Sequence, residues 1–317
     1  MEEYPKTILE FEQQFATEEA CREYLYGLRW PEGFRCPHCG HEKGWLLARG
    51  LTQCAACAVP TSVTAGTILQ DTHKPLRLWF RAMWYVTSQK TGVSALGLQR
   101  VLGLGSYETA WVWLHKLRRA MVRPGRDCLH GVVEVDETYI GGERPGKHGR
   151  GAAGKSLVLV AAEEDGAGIG RIRLRRVPST SGEDLCGAVG ECVEPGSLVH
   201  TDGLSSYNSL GTLGYRHEVT RSNAAEVGED PLPRVHRVAS LLKRWMLGTH
   251  QGAIQPSHLD YYLDEFTFRF NRRTSRSRGK LFYRLAQQAA AVAPALQSAI
   301  RGGVTNASTA DLPESTG

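Results

Sequence analysis

No stretch of the chain holds the roughly 18 consecutive apolar residues that a membrane-spanning helix needs, so no helical membrane span is expected. The opening segment, MEEYPKTILEFEQQF, is acidic and has no apolar core of the kind a signal peptide carries, which leaves the cytoplasm as the expected location. No internal repeat is visible. Charge of one sign is also scarce: Lys and Arg number 38 against 33 Asp and Glu, a formal net charge of +5, too small an excess to point to nucleic acid by itself. Of the eight cysteines, Cys21, Cys128, Cys186 and Cys192 are scattered and have no neighbouring base. They read as reduced, mostly buried thiols, neither a disulfide framework nor a nucleophile.

What the chain does have is a succession of distinct textures. Residues 1–30 carry an amphipathic helix over LEFEQQFATEEACREYLYGL, with Thr17 placed to cap before Glu18 and Glu19. Residues 31–70 hold two cysteine pairs among short strand-like pieces. Residues 75–123 are helical in three segments, LRLWFRAMWYVTSQ, VSALGLQRVLG and YETAWVWLHKLRRAM, the rhythm of a helix-turn-helix. Arg118 and Arg119 end its third helix, and Trp111 and Trp113 read as core. Residues 130–287 open on strands (VVEVDETYI, SLVLVAAEE, GRIRLRRV), continue through a helix and the short strand SLVHTDG, and finish helical. In that last part Leu259, Leu263, Phe266 and Phe270 share one helical face. Residues 302–317 are small and polar and read as a disordered tail. The fold class is therefore multidomain, closing on an α/β domain of about 150 residues.

Cys36-Pro37-His38-Cys39 and Cys54-Ala55-Ala56-Cys57 are two knuckles separated by the fourteen residues 40–53. Two such turns supply the four thiolates of a tetrahedral Zn²⁺ site. His38, inside the first knuckle, is not counted as a ligand. A closed four-cysteine site has no open coordination position, so its expected role is structural.

In VVEVDETYI, strand periodicity puts Glu134 and Asp136 on one face and Glu137 on the other. Acids beside buried valines are costly unless paired or metal-bound. Asp202, in LVHTDGLSSY, ends an apolar strand before a glycine, a position that suits either a catalytic carboxylate or a turn-capping one. These pieces occur in the order C-P-x-C-G with C-x-x-C, SVTAGTILQDTHKPLRLWF, VDETYIGG, HTDGLSSY, VHRVASLLKRWMLGTHQGA and HLDYYLDEFTFRFNRR, from about residue 10 to residue 285. In that order they resemble the DDE transposases of bacterial insertion sequences that carry an N-terminal zinc ribbon.

The resemblance implies a ribonuclease H-like catalytic domain holding Mg²⁺ or Mn²⁺ and catalysing DNA strand cleavage and strand transfer. Asp136 and Asp202 match the first two acidic positions. His236 stands where the third, usually a glutamate, falls, with Glu265 in YLDEF as the alternative. Histidine is the softer ligand and suits manganese better than magnesium. The implied partners are insertion-sequence ends and target DNA, bound by a homo-oligomer that is nucleoid-associated when on DNA.

Lys243 and Arg244, two helical turns beyond His236, are candidates for the phosphates beside the scissile bond. Seven basic residues and no acidic one lie between Arg269 and Arg284. Arg269, Arg272, Arg273 and Arg276, with Phe268, Phe270, Phe282 and Tyr283 among the cluster, form a second candidate DNA contact. Lys147, His148, Arg150 and Lys155 in the glycine-rich loop are a third. The rival reading is a catalytically inactive or domesticated zinc-ribbon DNA-binding protein. A nuclease of the same fold without strand transfer would share the site.

Overall fold

The computed structural model describes residues 3–123, 125–141, 155–220, 230–252, 254–295 and 297–302. The chain divides into two compact units, residues 1–124 with 275–317, and residues 125–274. Lys147, His148 and Arg150, and the tail from residue 303, lie outside the described residues.

The first unit begins with two helices, α1 (Ile8–Gln14) and α2 (Glu18–Arg29), where the sequence suggests one. Thr7 and Thr17 each accept the N–H of the residue three places on, so each starts its own helix. A three-stranded antiparallel sheet follows: β1 (Gly44–Leu46), β2 (Thr52–Cys54) and β3 (Pro60–Thr61). Helices α3 (Leu76–Ser88), α4 (Ala95–Leu102) and α5 (Tyr107–Ala120) come next. Pro75 at the start of α3 gives no side-chain cap; Glu18 does that work from α2, accepting the N–H groups of Leu76 and Arg77 at 2.7 and 3.2 Å. Trp113 stacks on Trp79 with ring centroids 3.7 Å apart, so this tryptophan is core. Arg118, expected on a DNA-facing helix end, is buried.

The unit is completed from the far end of the chain, by the last two of its helices. Phe282, fully buried, packs among Phe11, Phe15, Phe80 and Trp84 with centroids 5.3–5.8 Å away. Residues 275–287, expected in the α/β domain, thus belong with the N-terminal helices. Burying that ring among four aromatics outweighs chain continuity.

In the second unit, β4 (Val132–Ile140), β5 (Ser156–Asp165) and β6 (Gly168–Val177) form an antiparallel meander. Helix α6 (Gly182–Cys192) leads to β7 (Leu198–Thr201), which pairs parallel with β4. A 3₁₀ segment over Ser205–Leu213 then leads to β8 (Arg216–Val219), parallel to β7. The sheet order is β6-β5-β4-β7-β8. The sequence reading treats everything after β7 as helical and misses β8. That strand is four residues long and largely exposed, so it carries no apolar alternation.

Two helices, α7 (Pro233–His250) and α8 (Leu259–Phe270), close the chain of this unit. Val133, Val135, Leu157 and Leu159 face α6 and the 3₁₀ segment, with Leu185, Val189 and Tyr207. Ile140, Val158 and Val160 face the other way, onto Val238, Leu242, Leu263, Phe266 and Phe270. The result is a mixed α/β domain of three layers. Asp136, level with Val160 across the β4–β5 pair, is on the α7 face. Among the described residues no helix is long and apolar enough to cross a membrane.

Candidate active site and metal centre

The sequence expects four cysteines to converge, and among the described residues their sulfurs all lie within 4.8 Å of one another. Cys36 Sγ is 3.7 Å from Cys57 Sγ, and Cys39 Sγ is 3.5 Å from Cys54 Sγ. A tetrahedron with Zn–S bonds of 2.3 Å has edges of about 3.8 Å, so the donor set fits zinc in both chemistry and spacing. The backbone N–H groups of Cys57 and Ala56 point at Cys54 and draw its thiol down to about 6, toward the thiolate a metal needs. The remaining cysteines are free thiols. Burial pushes Cys21 up to about 12 and Cys192 up to about 11, which removes both as nucleophiles.

In the second unit the three strand acids of β4 have separate fates. Glu137 accepts the Tyr207 hydroxyl at 3.1 Å on the α6 face. Glu134, 2 % exposed, bonds the start of α7: its Oε2 accepts the N–H groups of Arg234 and Val235 at 2.7 and 3.0 Å, and its Oε1 takes the Arg234 guanidinium at 2.8 Å. Asp136 is left facing the His236 ring, with Oδ2 3.3 Å from Nε2. The ring's other nitrogen, Nδ1, is 2.6 Å from Asp230 Oδ1, an oxygen that also accepts the Leu232 N–H.

Asp202 follows the last residue of β7. The parallel register pairs Val133 with Val199 and Glu134 with His200. Asp136 and Asp202 each lie two residues beyond the last of these pairs. Burial raises the pKa of Asp136, the Glu137 N–H and His236 oppose it, and Asp202's charge adds a smaller push upward. Asp202 Oδ1 accepts the Leu204 N–H at 2.9 Å across a turn whose Gly203 has a φ of +88°. Asp136 and His236 are therefore in contact and Asp202's charge reaches Asp136, but among the described residues only the four cysteines are gathered closely enough to hold a metal ion.

Residues 128–271 match the family model described as an ISXO2-like transposase domain, and residues 16–59 the one described as a transposase zinc-ribbon domain. Together the matches cover more than half of the chain. The chain belongs to the zinc-ribbon transposases. Among solved structures, the Mos1 strand transfer complex aligns at 16 % identity over 70 % of this chain and 78 % of that one, with a TM-score of 0.26, a likeness too loose to say more. No curated protein matches the chain.

The basic residues of the transposase divide on inspection. Lys243 lines a cavity of about 560 Å³ with Lys155, Tyr139, Met246 and Leu259, a lining that among the described residues includes no acidic side chain. Arg244 is exposed on the same helix. Arg269 is spent inside the protein: it pairs with the buried Glu265 at 2.7 Å and is only 14 % exposed. That pairing also occupies Glu265, the alternative third ligand. Arg272 and Arg273 lie over the rings of Phe268 and Phe270, each 4.1 Å from the centroid, and Arg273 reaches the carbonyls of Ile169, Gly170 and Phe270. Arg276, in the first unit, is exposed. What sequence reasoning missed is the pairing of Glu134 with Arg234 and of Asp230 with His236. The signal in the sequence was a set of acids in an apolar strand, which does not name their partners.

Proposed function

We propose that this transposase catalyses metal-dependent cleavage of DNA strands at the ends of an insertion sequence and their joining to target DNA. The observation that supports this best is the contact between Asp136 and His236, with Asp202 just past the end of β7 close enough for its charge to reach Asp136. Cis ligands on an octahedral ion with bonds near 2.1 Å stand about 3.0 Å apart, close to the 3.3 Å between Asp136 Oδ2 and His236 Nε2. Carboxylates with one imidazole are a donor set suited to Mn²⁺ and acceptable to Mg²⁺. When bound, such ions activate the attacking oxygen and stabilise the leaving one.

The protein's own groups prepare the rest. Asp230, accepting a hydrogen bond from Nδ1–H, would orient the His236 ring so that Nε2, facing Asp136, is the nitrogen available to an ion. Lys243 lies two turns, about 10 Å, along α7 from His236. There it would meet phosphates flanking the reacting one, with Arg244 beside it. Water held by these residues would cut the first strand, and the freed 3′-hydroxyl would then attack target DNA in the same site.

The antiparallel meander extended by two parallel strands, with helices on both faces, supports a ribonuclease H-like reading of residues 125–274. The α4–α5 pair, joined through Gly103 at a φ of +63°, supports a helix-turn-helix. With the ribbon and the exposed Arg276, it would hold the DNA for a homo-oligomer, and the exposed Arg273 would be a separate DNA contact of the second unit.

The test is strand cleavage and joining by the full chain on DNA carrying the element's own ends, with Mg²⁺, with Mn²⁺ and with neither. Metal-dependent nicking that Asp136→Ala and Asp202→Ala both abolish is the expected result. Tight binding of those ends with no cleavage in any metal would favour the inactive DNA-binding protein instead.

A further inference from the structure

We propose that Glu134 is a positioning residue: it fixes the first turn of α7 to β4 and thereby sets the His236 ring against Asp136. The inference rests on the reading of Asp136 and His236 as paired site residues.

A helix start leaves its first N–H groups without intrahelical partners, and α7 accounts for all of them in an unusual way. Its first residue, Pro233, has no N–H, and no side chain of the preceding residues caps it. The next two N–H groups, of Arg234 and Val235, both go to Glu134 Oε2. The following one, of His236, opens the helical ladder on the Leu232 carbonyl at 3.2 Å. The cap of α7 is therefore supplied from 100 residues away in sequence, by a strand residue two places from Asp136 on the same face of the sheet.

The consequence is geometric. Asp136 and Glu134 are rigidly related by β4, and His236 follows the two capped residues directly. One carboxylate thus sets how far the helix lies from the strand and how it is rotated about its axis, the two variables that decide where the imidazole falls. Arg234 secures the arrangement. Besides Glu134 it binds Glu164 at 3.1 Å and the carbonyls of Gly166 and Gly168 at 2.9 and 3.1 Å, so the β5–β6 turn is tied to the same point. Glu134 is 2 % exposed against 19 % for Asp136, so its carboxylate is enclosed with the start of α7 where that of Asp136 is still reached by solvent.

The experiment uses the full chain labelled with [¹⁵N]histidine, with the His236 ring signals identified by their loss in His236→Asn. In Glu134→Gln the shape is kept but an amide NH₂ must face the donors of Arg234. The His236 ring signals should then move by an amount comparable to that seen in Asp136→Asn, while signals of histidines in the first unit stay in place. Unchanged His236 signals in folded Glu134→Gln would overturn the proposal. If that variant does not fold, Glu134→Asp keeps the charge and withdraws the carboxylate by one methylene. The same signals should move there, and a ring that does not respond overturns the proposal equally.

A second arm measures cleavage. Glu134→Gln should lower kcat at least tenfold with DNA affinity unchanged, and should add nothing further in a His236→Ala background. Independent, multiplying losses would mark a merely structural role and overturn the proposal. Absence of cleavage by the wild type would sink the transposase reading, while the histidine spectra would still decide the clamp.

Discussion

Asp136 is the residue in which the proposed chemistry and stability pull in opposite directions. Burial and the neighbouring Asp202 raise its pKa above the ordinary 3.8, so folding disfavours its ionised form. Below the unfolded pKa both states are protonated and nothing is lost. As pH rises through the raised folded value, wild-type protein gives up stability. Asp136→Asn should therefore melt higher than wild type at pH 7, and the gain should vanish near pH 3; equal melting at both pH values would refute this. Divalent metal supplies the opposing charge, so Mn²⁺ should raise the melting temperature of wild type and leave that of Asp136→Asn where it was. The same substitution should lower cleavage about a thousandfold or more, equivalent to roughly 4 kcal/mol, without weakening DNA binding in a mobility-shift assay. A site kept at a cost in stability is the usual signature of a residue retained for chemistry.

Helix α8 was open to two readings as an element, one as a carrier of a metal ligand and of phosphate-binding arginines, the other as packing. Its apolar stripe, Leu259, Leu263, Phe266 and Phe270, packs onto the sheet as the periodicity implies. Glu265 and Arg269, one turn apart on the same helix, satisfy each other. Removing one partner strands a charge that is largely out of water, so Glu265→Ala should cost about 3 kcal/mol in urea unfolding. Glu265→Gln should leave cleavage per folded molecule near wild type; a thousandfold loss there would return Glu265 to the candidate site.

Helix α9 (Arg278–Ala291) makes its own demand at Gly279. A Cβ there would run into the Pro5 carbonyl, which is backbone and cannot step aside cheaply. Gly279→Ala should lower stability by about 2 kcal/mol despite alanine's better helix propensity. A neutral or stabilising result would mean that the N-terminal segment does not pack against this helix.

At the scale of the molecule, two units with separate cores should unfold separately. Zinc belongs to only one of them. Structural zinc contributes on the order of 10 kcal/mol to small metal-folded modules, so chelation, or Cys36→Ser or Cys57→Ser, should lower the transition of the first unit by tens of degrees. The transition of residues 125–274 should hardly move. Calorimetry with and without chelator, alongside metal analysis expecting one zinc per chain, checks both statements. A single transition shifted as a whole would show that the units are coupled. Zinc near zero in well-folded protein would remove the ribbon's metal.

Local chemistry was legible from the residues themselves. Two C-x-x-C turns bring four thiolates together because each turn is a local backbone shape. Thr17 starts α2, and β4 keeps the bounds its valines and isoleucine imply, because caps and periodicities act over a few residues. The family resemblance added the roles proposed for Asp136, Asp202 and His236; the structure puts Asp136 and His236 in contact, with Asp202 just past the end of β7. What the residues could not disclose were pairings between distant segments: Glu134 with the start of α7, Phe282 with the N-terminal helices, β8 with β7. A buried acid must find a partner, but that requirement is equally met by an arginine, a helix end or a metal. An aromatic side chain needs a core, but not any particular one. Those choices are made when the chain closes on itself, since only then does one arrangement satisfy every buried group at once.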